Sequence, residues 1–139
     1  MENYFKKLSA INVKGMAEKK GNFNYLSWAN AWSLIKEQYP QLKRKVYESK
    51  IQTSRADGAL ITSKVPYMTD GKTASVKVKI TIEGIPHTDY LPVMDYRNNS
   101  IPYSKMTSMD VNTAIQRSTA KAIAMHGLGI AIFLSLIHI

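Results

Sequence analysis

Between residues 73 and 82 hydrophobic and polar positions alternate without a break. Val76, Val78, Ile80 and Ile82 fall on one side, Ser75, Lys77, Lys79 and Thr81 on the other. A period of two predicts a strand with one face in a core. Asp70-Gly71 ahead of it and Glu83-Gly84 behind it are hairpin signals. The chain is therefore expected to return through 85–94 (IPHTDYLPVM), where Pro86 and Pro92 imply an edge or interrupted strand.

The period is helical elsewhere. Residues 3–10 (NYFKKLSA) predict a short helix with Tyr4, Phe5 and Leu8 on one side and Lys6 and Lys7 on the other. Residues 14–24 (KGMAEKKGNFN) are a charged, Gly-broken connector. Ser27 is placed to cap a helix that Pro40 ends. Trp28, Trp32 and Ile35 share a face of it, which points to core packing ahead of base stacking. Residues 42–53 (LKRKVYESKIQT) predict one strand, with Arg44 and Lys45 giving its start a cation on each face, and 54–64 a loop or wide turn. Residues 95–103 (DYRNNSIPY) are a polar loop. Tyr96 and Arg97 stand at its tip, an aromatic beside a cation that suits a base and a phosphate. A final helix begins at Asp110 or Ser108. Its stripe is Val111, Ile115, Ser118, Ala122 and Met125, and Gly127 stands just past its end. The order predicts an α+β domain: an antiparallel β-meander sheet packed against a long C-terminal helix, with helices at the N-terminus.

Charge adds a partner to this picture. Nineteen Lys and Arg against ten Asp and Glu give +9 over 139 residues. An excess of this size favours a polyanion, nucleic acid or an anionic membrane surface. There is no cysteine, which removes disulfides, thiolate nucleophiles and Cys-ligated zinc. With no apolar h-region near the start, this points to a reducing cytoplasm. No phosphate-binding Gly-x-x-x-x-Gly-Lys loop is present. His87, His126 and His138 have no metal-ligand spacing, and a lone histidine is more often structural. Glu83, Asp89 and Asp95 lie near one another in sequence and raise a Mg²⁺ nuclease as an alternative, although acids at hairpin ends are common.

Two groups of cations remain. Lys77 and Lys79 on the polar side of their strand are about 7 Å apart, near the spacing of successive phosphates, or are simply a solvated face. Arg117 and Lys121 lie roughly 80–120° from the centre of the helical stripe, at the rim where helix meets sheet. Ala114, Ala120 and Ala124 leave that rim shallow for a ligand backbone. Spacing alone leaves both readings open, a ligand rail or cations that complement the helix dipole.

Three blocks, YLSWANAW (25–32), LPVMD (91–95) and NTAIQRSTAKAIAMHGLG (112–129), resemble phage single-strand annealing proteins of the Sak type, over residues 3–133. That group is distantly similar to the Rad fifty-two annealing family. The resemblance implies a Rad fifty-two-like fold assembled into a ring or helical filament, and annealing of single-stranded DNA in homologous recombination without ATP. It implies no enzyme and no cofactor. Arg117 and Lys121 match the groove-lining cations of the relatives. His126-Gly127 stands where the relatives carry Phe-Gly. The DNA-binding candidates are Arg117, Lys121, Lys77 and Lys79, then Arg44, Lys45, Tyr96 and Arg97. The expected partners are single-stranded DNA, the annealed duplex intermediate, further copies of the chain, and a host or phage single-strand binding protein. The expected location is the cytoplasm of a bacterial host.

Residues 122–139 form an almost unbroken apolar run that raises a membrane tail anchor, and hence a basic membrane-associated protein, as a further alternative; Gly127, Gly129, His126 and His138 count against it. Another origin fits the last residues. LSLIHI (134–139) is the translation of CTGTCTCTTATACACATC, the transposon mosaic end used to prepare sequencing libraries. The expectation is an annealing domain over residues 1–133, truncated at its C-terminus, and a non-native tail over 134–139. Finding codons for LSLIHI in DNA amplified directly from the source would refute it.

Overall fold

The computed structural model describes residues 4–11, 18–20, 23–25 and 27–130. The expected non-native tail and the second half of the apolar run it ends lie outside them, as does His138. Among the described residues no helix is long and apolar enough to cross a membrane.

The architecture is α+β, built around one strand. Helix α1 is Tyr4–Ser9 and α2 is Trp28–Gln38. Between them β1 (Glu18–Lys20) and β2 (Phe23–Tyr25) pair antiparallel, where a connector was expected. Gly21-Asn22 between them is in sequence a two-residue hairpin signal. β3 (Lys43–Val46), β6 (Met68–Thr69), β7 (Ala74–Ile82) and β8 (Ile85–Pro92) form a four-stranded antiparallel sheet. β7 is central. β8 covers one edge along its whole length, while β3 and β6 share the other end to end. β4 (Ser49–Ser54) and β5 (Leu60–Val65) make a separate two-stranded hairpin between β3 and β6 in the chain. Helix α3 is Ser108–Met125.

Burial on β7 alternates at every residue, as the period of two requires. Its inner face carries Val76, Val78, Ile80 and Ile82, all fully buried. α3 packs on that face across β7 and β8, and α2 packs on α3. Two clusters make the core. Ala74, Val76, Leu91, Val93, Val111 and Ala114 sit under the start of α3. Ile80 and Ile82 meet Leu8, Ile35, Leu42, Ile123 and Leu128 under its end. Trp28 and Trp32 pack against this second cluster, in line with a core role. Fully burying one such aliphatic side chain stabilises by about 1.5–3 kcal/mol.

The turns follow their sequence signals. Glu83 and Gly84 both adopt positive φ (51° and 78°), the two-residue turn that fits a right-twisted hairpin. Asp70 accepts from the Lys72 and Thr73 amides and closes the turn into β7. Ser27 caps α2 by accepting from the Asn30 amide at 3.2 Å.

Several expectations change. The run 42–53 is not one strand. It breaks at Tyr47 and Glu48, and its halves join different sheets. The stretch 54–64 is not a loop. The chain turns at 55–59 and returns as β5 in register, Ser54 opposite Leu60 and Ser49 opposite Val65. The cap of α3 is Thr107, not Asp110 or Ser108. Asp110 completes a capping box by accepting from the Thr107 amide. The apolar stripe of α3 is also wider than expected. Ala114, Ala120 and Ala124 are buried and Met125 is exposed, because α3 is covered by the sheet on one side and α2 on another. The three alanines thus face protein and leave no shallow approach for a ligand. Phe5, placed inward by its spacing, is exposed.

The end of α3 is locked by the first helix. Gly127 has φ 121°, and a Cβ there would stand 2.6 Å from the Phe5 carbonyl oxygen. His126 is fully buried beside it. Its Nε2 lies 2.8 Å from the Ile80 carbonyl oxygen, which can only accept, so Nε2 carries the proton. Nδ1 then accepts from the Tyr4 hydroxyl at 3.1 Å. The His87 ring stacks edge-on at 4.4 Å. His126 is thus a satisfied structural histidine.

Burial holds the His126 imidazole below the ordinary histidine value; the Ile80 hydrogen bond opposes this and His87 adds to it. The native state therefore resists a proton that the unfolded chain accepts. This contribution to stability is complete above pH about 6.5 and is lost as pH falls from there through the depressed native value. Urea midpoints measured downward from pH 7.5 should fall in that window for wild type, and less so for His126→Gln. Parallel curves would show that His126 does not set the dependence.

Candidate nucleic-acid interface

The side of the sheet away from α3 is basic and aromatic. Register gives its rows directly. Lys45 stands opposite Lys79, which stands opposite Thr88. The Tyr47 amide donates to the Lys77 carbonyl at 3.0 Å, extending the pairing of β3 by one row. Lys77 is in turn opposite Tyr90. The strand positions on this face are Lys43, Lys45 and Tyr47, then Ser75, Lys77, Lys79 and Thr81, then Pro86, Thr88, Tyr90 and Pro92. They include no carboxylate.

The tyrosines are placed among the ammonium groups. Lys77 Nζ is 4.3 Å from the centre of the Tyr47 ring and 5.0 Å from that of Tyr90. Lys45 and Lys79 approach Tyr47 at 4.5 Å and 6.0 Å. The Tyr90 hydroxyl beside Lys77 holds its ammonium above the usual lysine range. Tyr90 itself is 61% exposed.

The basic surface continues onto the hairpin. A cleft of about 530 Å³ between β3 and β4–β5 is lined by Lys45, Tyr47, Glu48, Lys50 and Lys64 among others. Lys50 stands directly opposite Lys64. Like charges directly opposite in a sheet are destabilising, and among the described residues there are two such pairs, Lys45–Lys79 and Lys50–Lys64.

The other expected cations lie elsewhere. Lys121 and Arg117 are on the flank of α3. Lys121 Nζ is 3.9 Å from Asp89 Oδ1, and Ser118 Oγ donates to Asp89 Oδ2 at 2.8 Å. Burial raises the Asp89 carboxyl above its ordinary value, outweighing both partners. Arg117 Nη2 reaches Asn98 Oδ1 at 3.4 Å, which ties it to the 95–100 loop. There Tyr96 is 84% exposed with Arg97 5.3 Å from its ring. Arg44 faces the helices. It donates to Thr119 Oγ1 at 3.2 Å and lies 5.9 Å from the Trp32 ring.

The candidates thus form a sheet-face group (Lys45, Lys77, Lys79), a flank group (Arg117, Lys121, Tyr96, Arg97) and an isolated Arg44. Tyr47, Tyr90 and Lys43 join the sheet-face group only through strand register, and Lys50 and Lys64 only through the cleft they share with Lys45 and Tyr47. The Asp57-Gly58 turn was the available signal for Lys50 and Lys64. Two of the three carboxylates of the nuclease alternative are occupied. Asp89 is committed to Ser118 and Lys121, and Asp95 accepts from the Arg97 and Asn99 amides of its own turn. Among the described residues no group of three or more His, Cys, Asp or Glu is placed to hold a metal ion.

A family model described as Sak Single Strand Annealing Protein matches residues 3–135. No curated protein and no solved structure matches the chain.

Proposed function

Because the chain belongs to the Sak family of single-strand annealing proteins, we propose that it binds single-stranded DNA on its lysine-bearing sheet face. On that face it anneals complementary strands without ATP, in phage homologous recombination. The observation that supports this most is the opposition of like charges at Lys45–Lys79 and Lys50–Lys64. Each pair works against the fold by up to about 1 kcal/mol. A phosphate between the two ammonium groups removes that repulsion, and counterion release drives its binding.

The roles divide accordingly. Lys45, Lys77 and Lys79 neutralise backbone phosphates, with Lys50 and Lys64 continuing the track along the hairpin. Arg117, with Tyr96 and Arg97, offers a second contact region beyond the β8 edge. Lys121 shares its charge with Asp89, and Arg44 contributes least because Thr119 and Trp32 hold it on the helical side. No step makes or breaks a covalent bond, so the protein acts as a binding catalyst and not as an enzyme with reactive groups. Assembly of further copies in a ring or filament multiplies weak contacts through avidity. A host or phage single-strand binding protein is a further expected partner, and the bacterial cytoplasm is the expected site of action.

The test is annealing of two complementary labelled oligonucleotides without ATP. The protein is expected to accelerate it well beyond the spontaneous rate; no acceleration refutes the reading. Arg117→Ala is expected to weaken binding equally across sequences and to reduce the salt slope by about 0.7 unit. Lys121→Ala is expected to do the same and also to lower stability by about 1 kcal/mol. That cost is small because the lysine is 41% exposed and screened, although its partner is buried. A stable Lys121→Ala protein with the wild-type salt slope would remove Lys121 from the interface.

A further inference from the structure

The sheet face holds two aromatic rings that phosphate binding does not use. Tyr47, Lys77 and Tyr90 form one row across three adjacent strands. Neighbouring strands lie about 4.8 Å apart, so the two rings are separated by roughly 10 Å with an ammonium group between them. Tyrosine on an outer sheet face is commonly covered by a neighbouring side chain or a loop. Here Tyr90 is largely exposed and Tyr47 is half-buried, covered by the mobile ends of Lys45, Lys77 and Lys79, which a bound strand draws onto its phosphates.

We infer that Tyr47 and Tyr90 are stacking platforms for two unpaired bases of the bound strand, with Lys77 between them on the intervening phosphate. This rests on the DNA-binding reading above and specifies its ligand as a strand whose bases are free. Three observations carry it. The rings flank a cation at 4.3 Å and 5.0 Å. They lie on a face whose strand positions include no carboxylate. Tyr47 also lines the open cleft that leads to Lys50 and Lys64, so a strand crossing the row meets three lysines there against one carboxylate, Glu48.

The chemistry has a consequence for annealing. A base held by its π-face leaves its hydrogen-bonding edge uncommitted. Duplex DNA cannot make this contact, because its bases are already stacked on one another. The face therefore selects single strands over duplex, and an incoming complement can still read the held bases.

The experiment compares two probes of equal length, oligo(dT) and an oligomer of abasic sites. Both carry the phosphates, and only the first has bases to stack. Wild type is expected to bind oligo(dT) at least about tenfold more tightly, since stacking on one aromatic side chain is worth roughly five- to 150-fold. Tyr47→Leu combined with Tyr90→Leu should bring the two affinities to within about twofold with the salt slope unchanged; Tyr47→Phe with Tyr90→Phe should keep the gap. Equal wild-type affinity for both probes overturns the stacking and leaves the phosphate reading standing. So does a gap that survives the leucine pair. Failure to bind either probe overturns both. The wild-type comparison needs no variant, so misfolding of a variant cannot rescue the idea.

Discussion

Gly127→Ala is expected to cost about 2–5 kcal/mol of stability. Two terms add. At φ 121° an alanine is strained by about 1–2 kcal/mol, as for any side chain forced into positive φ. Its Cβ would also stand 2.6 Å from the Phe5 carbonyl oxygen and 3.2 Å from the Ser9 amide nitrogen. Both are backbone atoms, which cannot rotate away as a side-chain tip does. Overpacking of this kind costs about 1–3 kcal/mol. The escape is to push α1 off, which takes Leu8 out of the core and breaks the Tyr4–His126 hydrogen bond. Urea denaturation of the variant gives the number. A midpoint equal to wild type would mean that α1 does not dock against Gly127.

The second large effect has opposite signs in two measurements. Replacing Lys45, Lys77 and Lys79 together by glutamine should reduce the salt slope of single-strand binding by about two units, three contacts at about 0.7 each. The same variant should melt no lower than wild type, and somewhat higher, because the Lys45–Lys79 opposition is gone. Residues kept for the fold lose stability when replaced; residues kept for a ligand do not. A variant that loses stability while keeping its salt slope would return these lysines to an ordinary solvated surface.

Sequence and structure agree where a pattern is local and one-sided. β7 was legible because a single buried face forces alternation from Val76 to Ile82. β8 was recognisable as an edge from Pro86 and Pro92, and the cap of α2 from Ser27. The β4–β5 hairpin was signalled only by its Asp57-Gly58 turn, because almost all of it is exposed and no buried face imposes a period. The break at Tyr47 and Glu48 has no glycine or proline to announce it. α3 misled for the opposite reason. Covered on more than one side, it buries small residues that the spacing had left outside.

The same logic explains the candidate interface. Lys77 and Lys79 were visible as a pair because they share one strand. Their partners on β3 are set by register with residues thirty or more positions earlier, and register is not written locally. The buried Asp89 was also invisible in that role. Nothing in its neighbourhood of sequence distinguishes a carboxylate placed against Ser118 and Lys121 from one at a solvent-facing turn.

The contact between Tyr4 and His126 spans 122 positions. A ribosome adds about 5–20 residues each second, so the first helix emerges on the order of 6–24 s before its dock exists. A six-residue helix is too short to hold its shape alone over that interval. Helix α1 is thus made well before the surface that receives it and cannot dock until that surface exists. Each newborn molecule carries Tyr4 and Leu8 uncovered until the turn at Gly127 has been synthesised to receive them.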